Sequence, residues 1–238
     1  MDMIIDLHSH ILPGIDDGSR SVEESVAMLQ MEAEQGVRHV VATPHFYGHL
    51  DTPEHFLEKR NRAEESLREA LEKYPDLPQI HVGAEVHYFR GISTSEASMG
   101  LTIGGNSCIL IEMPYVKWPD FMYRELEAIY TRFGLTPIIA HIDRYISPFR
   151  AKQVLERLAD LPVLVQANAS FFLNAATANM ALRMLKRDQI HLLGSDCHNL
   201  TERKPNLGLA IERIQKRSGT ELLERICRCQ TELLEMVL

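Results

Sequence analysis

Seven short runs rich in valine, isoleucine and leucine recur along the chain: Met3–Leu7, His39–Ala42, Ile80–Gly83, Cys108–Ile111, Pro137–Ala140, Val163–Gln166 and Ile190–Leu193. Each is nearly continuous in hydrophobicity rather than alternating, which is how a strand reads when both of its faces are buried. Helical segments separate most of them, so the strands should run parallel with helices packed on one side, and the natural closure is a barrel. The expected fold is α/β, a distorted seven-stranded (β/α)7 barrel. The eighth strand of the standard eightfold barrel has no counterpart in this count.

The segments between the runs carry helix punctuation. Ser21 and Glu24 form a capping box, Val22, Val26, Leu29 and Ala33 supply an apolar stripe, and Gly36 stands where a C-cap belongs. Thr52-Pro53 opens a long charged helix through about Tyr74, Trp118-Pro119 precedes another that ends near Gly134, and Ser147-Pro148 starts a third. Further helices are expected over Asn174–Arg187, Leu207–Lys216 and Thr220–Val237.

Composition narrows the function. A chain of 238 residues, 45% of them hydrophobic, can bury one sizeable core, so residues 1–238 are expected to form a single domain. With 33 acidic against 25 basic residues the formal charge is −8, which argues against a surface built for nucleic-acid phosphates or anionic lipid. No apolar run approaches the roughly 20 residues needed to cross a bilayer, and the start, Met1-Asp2-Met3-Ile4-Ile5-Asp6, has neither a basic leader nor a signal-peptide core. A cytoplasmic protein without membrane insertion is expected. The four cysteines, Cys108, Cys197, Cys227 and Cys229, show no C-x-x-C pairing and no secreted-scaffold density.

Eleven histidines are the less ordinary feature, because imidazole and carboxylate together make the ligand set of catalytic metal sites. In barrels of this kind the reactive groups sit at the carboxyl ends of strands. His8 and His10 close the first strand, Asp16-Asp17 follows in its loop, and His45 ends the second strand. Glu85 ends the third, Glu112 the fourth, His141 the fifth, and Asp196 with His198 the seventh. Singly, each of these is more often a loop residue or a cap than a ligand. Random placement would not spare the amino-terminal ends, so jointly they point to several metals.

The motifs Asp6-Leu7-His8-Ser9-His10, Asp16-Asp17-Gly18, Thr43-Pro44-His45, Gly83-Ala84-Glu85, Ile111-Glu112, Ala140-His141-Ile142-Asp143-Arg144-Tyr145 and Ser195-Asp196-Cys197-His198-Asn199 resemble the PHP (polymerase and histidinol phosphatase) superfamily. Within it they are most similar to the metal-dependent protein-tyrosine phosphatases found beside capsule and exopolysaccharide genes in Gram-positive bacteria. The resemblance runs from residue 3 to about 208 and implies a barrel of the PHP type with a trinuclear site. It would place His8, His10, Glu85 and Asp196 on one ion, Glu85, Glu112 and His141 on a second, and Asp17, His45 and His198 on the third. It puts Arg144 and Arg203 on the substrate phosphate. Manganese is the usual metal of such enzymes, and iron, zinc or magnesium also suit these ligands.

The chain departs from the family pattern at Phe46-Tyr47-Gly48-His49, where relatives often have a further His or Arg, and at Ile142-Asp143, which replaces a commoner Pro-Glu. The carboxyl-terminal helix also lacks the Asn-Pro turn of many relatives. These changes leave substrate range and oligomer contacts open.

The implied reaction is hydrolysis of phosphotyrosine on a protein, with the carboxyl-terminal tail of a bacterial tyrosine kinase as the expected partner. Clustered divalent ions would supply hydroxide for attack on phosphorus, while Arg144 and Arg203 hold nonbridging oxygens. A phenolate, of pKa about 10, leaves without a strong general acid; a loop histidine such as His49 is one candidate if an acid is used. The competing readings are histidinol-phosphate phosphatase or another small phosphomonoesterase, a proofreading exonuclease disfavoured by the charge, and a metal-stabilised regulatory module without turnover. Cys197 and Arg203 also satisfy a C-x5-R spacing, but the stretch between them has no glycine to surround phosphate with backbone N–H groups.

The remaining polar residues have ordinary explanations. His39 begins a strand, His55 lies on a charged helix, His191 should face the helices, and His81 reads as a hydrogen-bonded interior histidine. Asp6 shares the parity of His8 and is a candidate for orienting a ligand, while Asp16 either assists Asp17 or caps the turn.

Overall fold

The computed structural model describes residues 3–105, 107–146 and 151–235. Nine strand segments appear in it: β1 (Ile4–Ser9), β2 (Val37–Ala42), β3 (His45–Phe46), β4 (Gln79–Val82), β5 (Glu85–His87), β6 (Cys108–Glu112), β7 (Thr136–Ile139), β8 (Leu164–Asn168) and β9 (Leu192–Gly194). They pair in parallel. A three-stranded sheet has the order β1-β2-β4, and a curled six-stranded sheet the order β3-β5-β6-β7-β8-β9.

This is the α/β architecture expected from the apolar runs, but the ladders do not return the expected count of seven. The chain breaks twice where regular pairing cannot continue. Pro44, between β2 and β3, has no N–H to donate, and Gly83-Ala84 separates β4 from β5. Isolated bonds cross these breaks: Thr43 N–H to Ser9 O at 2.8 Å, Gly83 N–H to Ala42 O at 2.8 Å and Glu85 N–H to Pro44 O at 3.0 Å. The loop after β9 meets the end of β1 through Asp196 N–H to His8 O at 2.8 Å and His10 N–H to Cys197 O at 2.9 Å.

Among the helices, α1 (Val22–Glu34) is capped by Ser21, whose hydroxyl accepts the Glu24 N–H at 3.3 Å, and is stopped by Gly36 at φ +84°. The helix α2 (Pro53–Leu71) is capped by Thr52, and α3 (Asp120–Phe133) ends at the left-handed Gly134. The start expected at Ser147-Pro148 lies outside the described residues; α4 is described from Ala151 to Ala159. The helix expected over 174–187 is α6 (Ala178–Lys186), which starts later than expected, and a short α5 (Ala169–Leu173) that was not expected precedes it directly after β8. Between them the Asn174 side chain accepts the Ala176 N–H at 2.9 Å, a local turn that competes with helix. The chain closes with α7 (Leu207–Ser218) and α8 (Glu221–Glu235), while the last part of the expected 220–237 helix lies outside the described residues.

Both faces of the strands are buried, which explains their continuous hydrophobicity. Val40, Ile109, Ile139 and Leu193 pack with Leu29 and Ile214 of the helices. Ile5, Leu7, Val41, Leu110, Ile138 and Leu192 form a separate cluster on the other face, closed by Leu233 and Leu234 of α8. No helix among the described residues is long and apolar enough to cross a membrane.

Candidate metal centre

Parallel strands place all their carboxyl ends on one rim, and the ligand-type residues gather there. His8 belongs to β1 and His10 follows it; His45 and Glu85 open β3 and β5; Glu112 closes β6; His141 follows β7; Asp196 and His198 follow β9. His8, His10 and His141 are fully buried, Glu85, Glu112, Asp196 and His198 nearly so, whereas Asp17 is exposed on its loop. Among the described residues, three non-glycines adopt left-handed backbone, and two of them are His141 (φ +33°) and Asp196 (φ +55°). Such conformations cost energy and persist where surroundings impose them, commonly at functional sites.

Glu85 is the hub. Its Oε2 lies 3.2 Å from Nε2 of both His8 and His10 and 3.0 Å from His45 Nδ1, while its Oε1 lies 2.7 Å from His141 Nε2. Asp196 Oδ1 is 3.6 Å from the same nitrogens of His8 and His10, and Glu112 Oε1 is 3.6 Å from His141 Nε2. Asp17 Oδ1 stands 3.5 Å from both His45 Nε2 and His198 Nε2. All nine residues marked in the sequence therefore meet in one cluster. Donor atoms close enough to share an ion occur as His10, Asp17, His45 and His198, as His8, His10 and Glu85, and as His45, Glu85 and Glu112.

The donors fit cations. His8 Nε2 and His10 Nε2 face each other at 3.2 Å, and Glu85 Oε2, His45 Nδ1 and His198 Nε2 are buried with no hydrogen-bond partner. Burial works against charge on His8 and His10, yet Glu85 and Asp196 beside His8, and Asp16 beside His10, raise both, His10 to about 10. A field that draws a proton onto buried imidazoles draws a divalent cation among them too. Burial and the adjacent His10 push His198 down to about 3, so it is a neutral imidazole, the ligand-ready form. Burial opposes the charge on Glu85, but His8 and the surrounding histidines hold its carboxyl well below the usual range.

A supporting layer orients these groups. Asp16 Oδ2 meets His10 Nδ1 at 2.7 Å and accepts the His45 N–H at 3.0 Å, while its Oδ1 accepts the Gly18 N–H. It thus both caps the turn and holds two candidate ligands, His10 and His45. Gln166 Oε1 accepts the His141 N–H at 2.6 Å and lies 3.3 Å from His8 Nδ1; Asn168 donates to Asp196 Oδ2 at 2.8 Å. His87 Nδ1 lies 3.1 Å from Glu112 Oε2. Gln166, Asn168 and His87 were not singled out in the sequence. The available signal was parity: Gln166 and Asn168 are buried polar residues two apart at the end of β8, and His87 is two beyond Glu85.

Arg144 and Arg203 converge on the rim. Arg144 donates to Asp196 Oδ2 and, at 2.9 Å, to the Tyr115 hydroxyl; Arg203 donates to Asp196 Oδ1 at 2.8 Å. Two guanidinium groups thus meet at the two oxygens of one carboxylate, beside the imidazole cluster.

The other sequence candidates fall elsewhere. Asp6 groups with Glu32 of α1 and Cys197, while its Oδ1 accepts the backbone N–H groups of His8 and Ser195, so it supports His8 through the backbone and not through the imidazole. Cys197 is fully buried, 4.0 Å from Glu32 Oε1, and burial, Glu32 and Asp6 push its thiol well above the ordinary range. Closed in the interior and facing a carboxyl rather than the rim, it is placed against the C-x5-R reading. His39 and His81 pair with each other at 3.0 Å, and His191 accepts the Val165 N–H, both remote from the cluster. His49 is exposed, its ring 6.1 Å from that of Tyr47.

The family model for capsular polysaccharide synthesis, CpsB/CapC, matches residues 4–234. Tyrosine-protein phosphatase CpsB of Streptococcus pneumoniae is 32% identical over 231 residues, 92% of each chain. Tyrosine-protein phosphatase YwqE of Bacillus subtilis is 28% identical over 231 residues, 92% of this chain and 87% of that protein. A solved structure from work on YwqE of Bacillus subtilis and CpsB of Streptococcus pneumoniae, described there as unique metal-dependent tyrosine phosphatases, shares the fold. Its TM-score is 0.88 at 24% identity, covering 99% of this chain and 96% of that one.

Proposed function

The chain belongs to the CpsB/CapC capsular polysaccharide synthesis family, and on that footing we propose that it is a metal-dependent protein-tyrosine phosphatase. The observation that carries this reading is the meeting of nine imidazole and carboxylate groups, Glu85 at their hub, with two arginines that converge on Asp196. His8, His10, Glu85 and Asp196, then Glu85, Glu112 and His141, then Asp17, His45 and His198 would hold three divalent ions, with manganese as the metal. Bound there, such ions lower the pKa of water and cancel charge on phosphoryl oxygens.

The chain's own residues do the rest. Arg144 and Arg203 offer forked, charge-assisted donors to the nonbridging oxygens. Asp196 holds both guanidinium groups at the rim, and Tyr115 anchors the outer edge of Arg144. The leaving phenolate needs no strong proton donor, and none of the exposed histidines has to be assigned that task. The physiological substrate in this reading is a phosphotyrosine protein, the carboxyl-terminal tail of a bacterial tyrosine kinase, acted on in the cytoplasm during capsule or exopolysaccharide synthesis. The single domain is read as a seven-stranded barrel in which β2 with β3, and β4 with β5, are interrupted strands.

Elemental analysis of the purified protein, paired with phosphotyrosine turnover before and after chelation, tests the proposal. We expect close to three ions per chain, loss of turnover on chelation and recovery with manganese. Cys197→Ser should keep most of the activity. Fewer than two ions per chain with activity retained, or an inactive Cys197→Ser of unchanged metal content, would overturn it.

A further inference from the structure

A cavity of about 730 Å3 opens beside the rim, bounded by the segment after β6 and by α4. Arg144 lines it and none of the nine ligand residues does. Its size falls in the range that encloses a drug-sized ligand, more room than one phenyl ring and its phosphate fill. The floor is aromatic: the Trp118 ring lies 5.1 Å from Tyr145 and 5.7 Å from Tyr123. Its lip exposes three consecutive side chains, Tyr115 and Val116 at 60% and 59% exposure, with Lys117 beside them.

Charge gives the cavity a preference. Lys117, Arg144 and Arg157 line it against one carboxylate, Asp120, in a chain whose formal charge is −8. Arg157 already engages Asp120 at 2.7 Å and lies 4.1 Å over the Tyr123 ring. The local excess is therefore cationic although the whole chain is acidic. The groove is also continuous with the site, because one guanidinium, Arg144, donates to Asp196 on the ligand side and to Tyr115 on the groove side.

We infer that this groove docks the polypeptide flanking the phosphotyrosine and selects an extended segment carrying acidic side chains; the inference rests on the phosphatase reading above. An aromatic floor takes the backbone and apolar atoms of such a segment, and Lys117 at the lip takes its carboxylates. A small phosphomonoester would occupy the Arg144 end and leave the remainder of the groove without a ligand.

The test uses the full chain loaded with manganese and three probes: a phosphotyrosyl peptide flanked by glutamates, the same peptide flanked by lysines, and free phosphotyrosine. Val116→Asp and Lys117→Glu alter exposed positions and should leave the fold intact. Wild type should prefer the glutamate peptide over the lysine peptide. In both variants kcat/KM for the glutamate peptide, taken relative to free phosphotyrosine, should fall about tenfold. A wild type that treats the two peptides alike, or variants whose ratio stays at the wild-type value while free phosphotyrosine is turned over, would overturn the groove alone. No turnover of any probe by the loaded wild type would remove the phosphatase reading, and this inference with it.

Discussion

Asp6 and Ser195 join the first and last segments that carry candidate ligands: Asp6 Oδ1 accepts the Ser195 N–H at 2.8 Å and also the His8 N–H at 3.2 Å. One buried carboxylate oxygen therefore fixes the spacing between the backbone that carries His8 and His10 and the backbone that carries Asp196 and His198. Removing it leaves two buried amide donors unsatisfied, at about 1–3 kcal/mol each. Asp6→Ala should lower stability by about 2–6 kcal/mol and reduce the metal content of the purified protein, whereas Asp6→Asn, which keeps the acceptor, should recover most of both. Denaturant unfolding with elemental analysis decides it; an Asp6→Ala protein with wild-type stability would show that the clamp is dispensable.

The two arginines should separate binding of phosphate from binding of metal. Arg144→Lys and Arg203→Lys retain charge but lose the planar fork, and each should lower kcat/KM for phosphotyrosine about tenfold; each alanine variant should cost about a hundredfold or more. Metal content should stay at the wild-type value in all four. Substantial metal loss in the lysine variants would mean that the arginines act by holding Asp196 rather than by meeting substrate.

Gly194 marks a place where a strand leaves no room. A Cβ there would lie 2.5 Å from His8 Cβ, 3.0 Å from His8 N and 2.9 Å from Gln166 Nε2. Neither the His8 backbone nor its Cβ can yield without moving the His8 imidazole, a candidate ligand. Gly194→Ala should therefore destabilise by about 1–3 kcal/mol, lowering Tm by several degrees, and should reduce metal occupancy. Thermal unfolding of the manganese-loaded proteins provides the measurement, and an unchanged Tm would contradict the close packing of β9 on β1.

The pair His39 and His81 predicts a pH dependence remote from the metal centre. Burial, then His39 and Arg68, push His81 down to about 4, and burial lowers His39 as well. An unfolded histidine titrates near 6.5. Between the two values the unfolded chain binds a proton that the folded chain does not, so stability falls as pH drops from about 6.5 to about 4. His81→Gln should flatten that part of the profile. Tm measured in manganese from pH 7 to pH 5 would give parallel curves for the two proteins if His81 titrates normally in the fold.

Much of this protein was legible before any tertiary contact was known. The seven apolar runs correspond to strands because doubly buried strands need apolar residues at every position, and the caps at Ser21, Thr52 and Gly134 act within a few residues of themselves. The nine ligand-type residues could be marked because parallel strands put all their carboxyl ends on one rim. The structure brings all nine together there. What failed was whatever depended on a local break. Pro44 and Gly83-Ala84 interrupt two ladders, so the strand count differed. Asp6 does support His8, but through the backbone N–H and not the imidazole, with Glu32 and Cys197 as its other neighbours.

Residue types and their order along the chain determined which chemistry could occur here, since imidazole, carboxylate and guanidinium groups are properties of single residues. Their partners were decided only by the tertiary structure. Cys197 and Asp196 are neighbours in the chain, yet Asp196 meets two arginines while Cys197 faces Glu32 in a closed interior. Gln166 and Asn168, from β8, which carries none of the nine candidate ligands, reach across to His8, His141 and Asp196. Such contacts depend on backbone positions set by more than twenty residues of intervening chain, and no local rule of spacing carries over that distance.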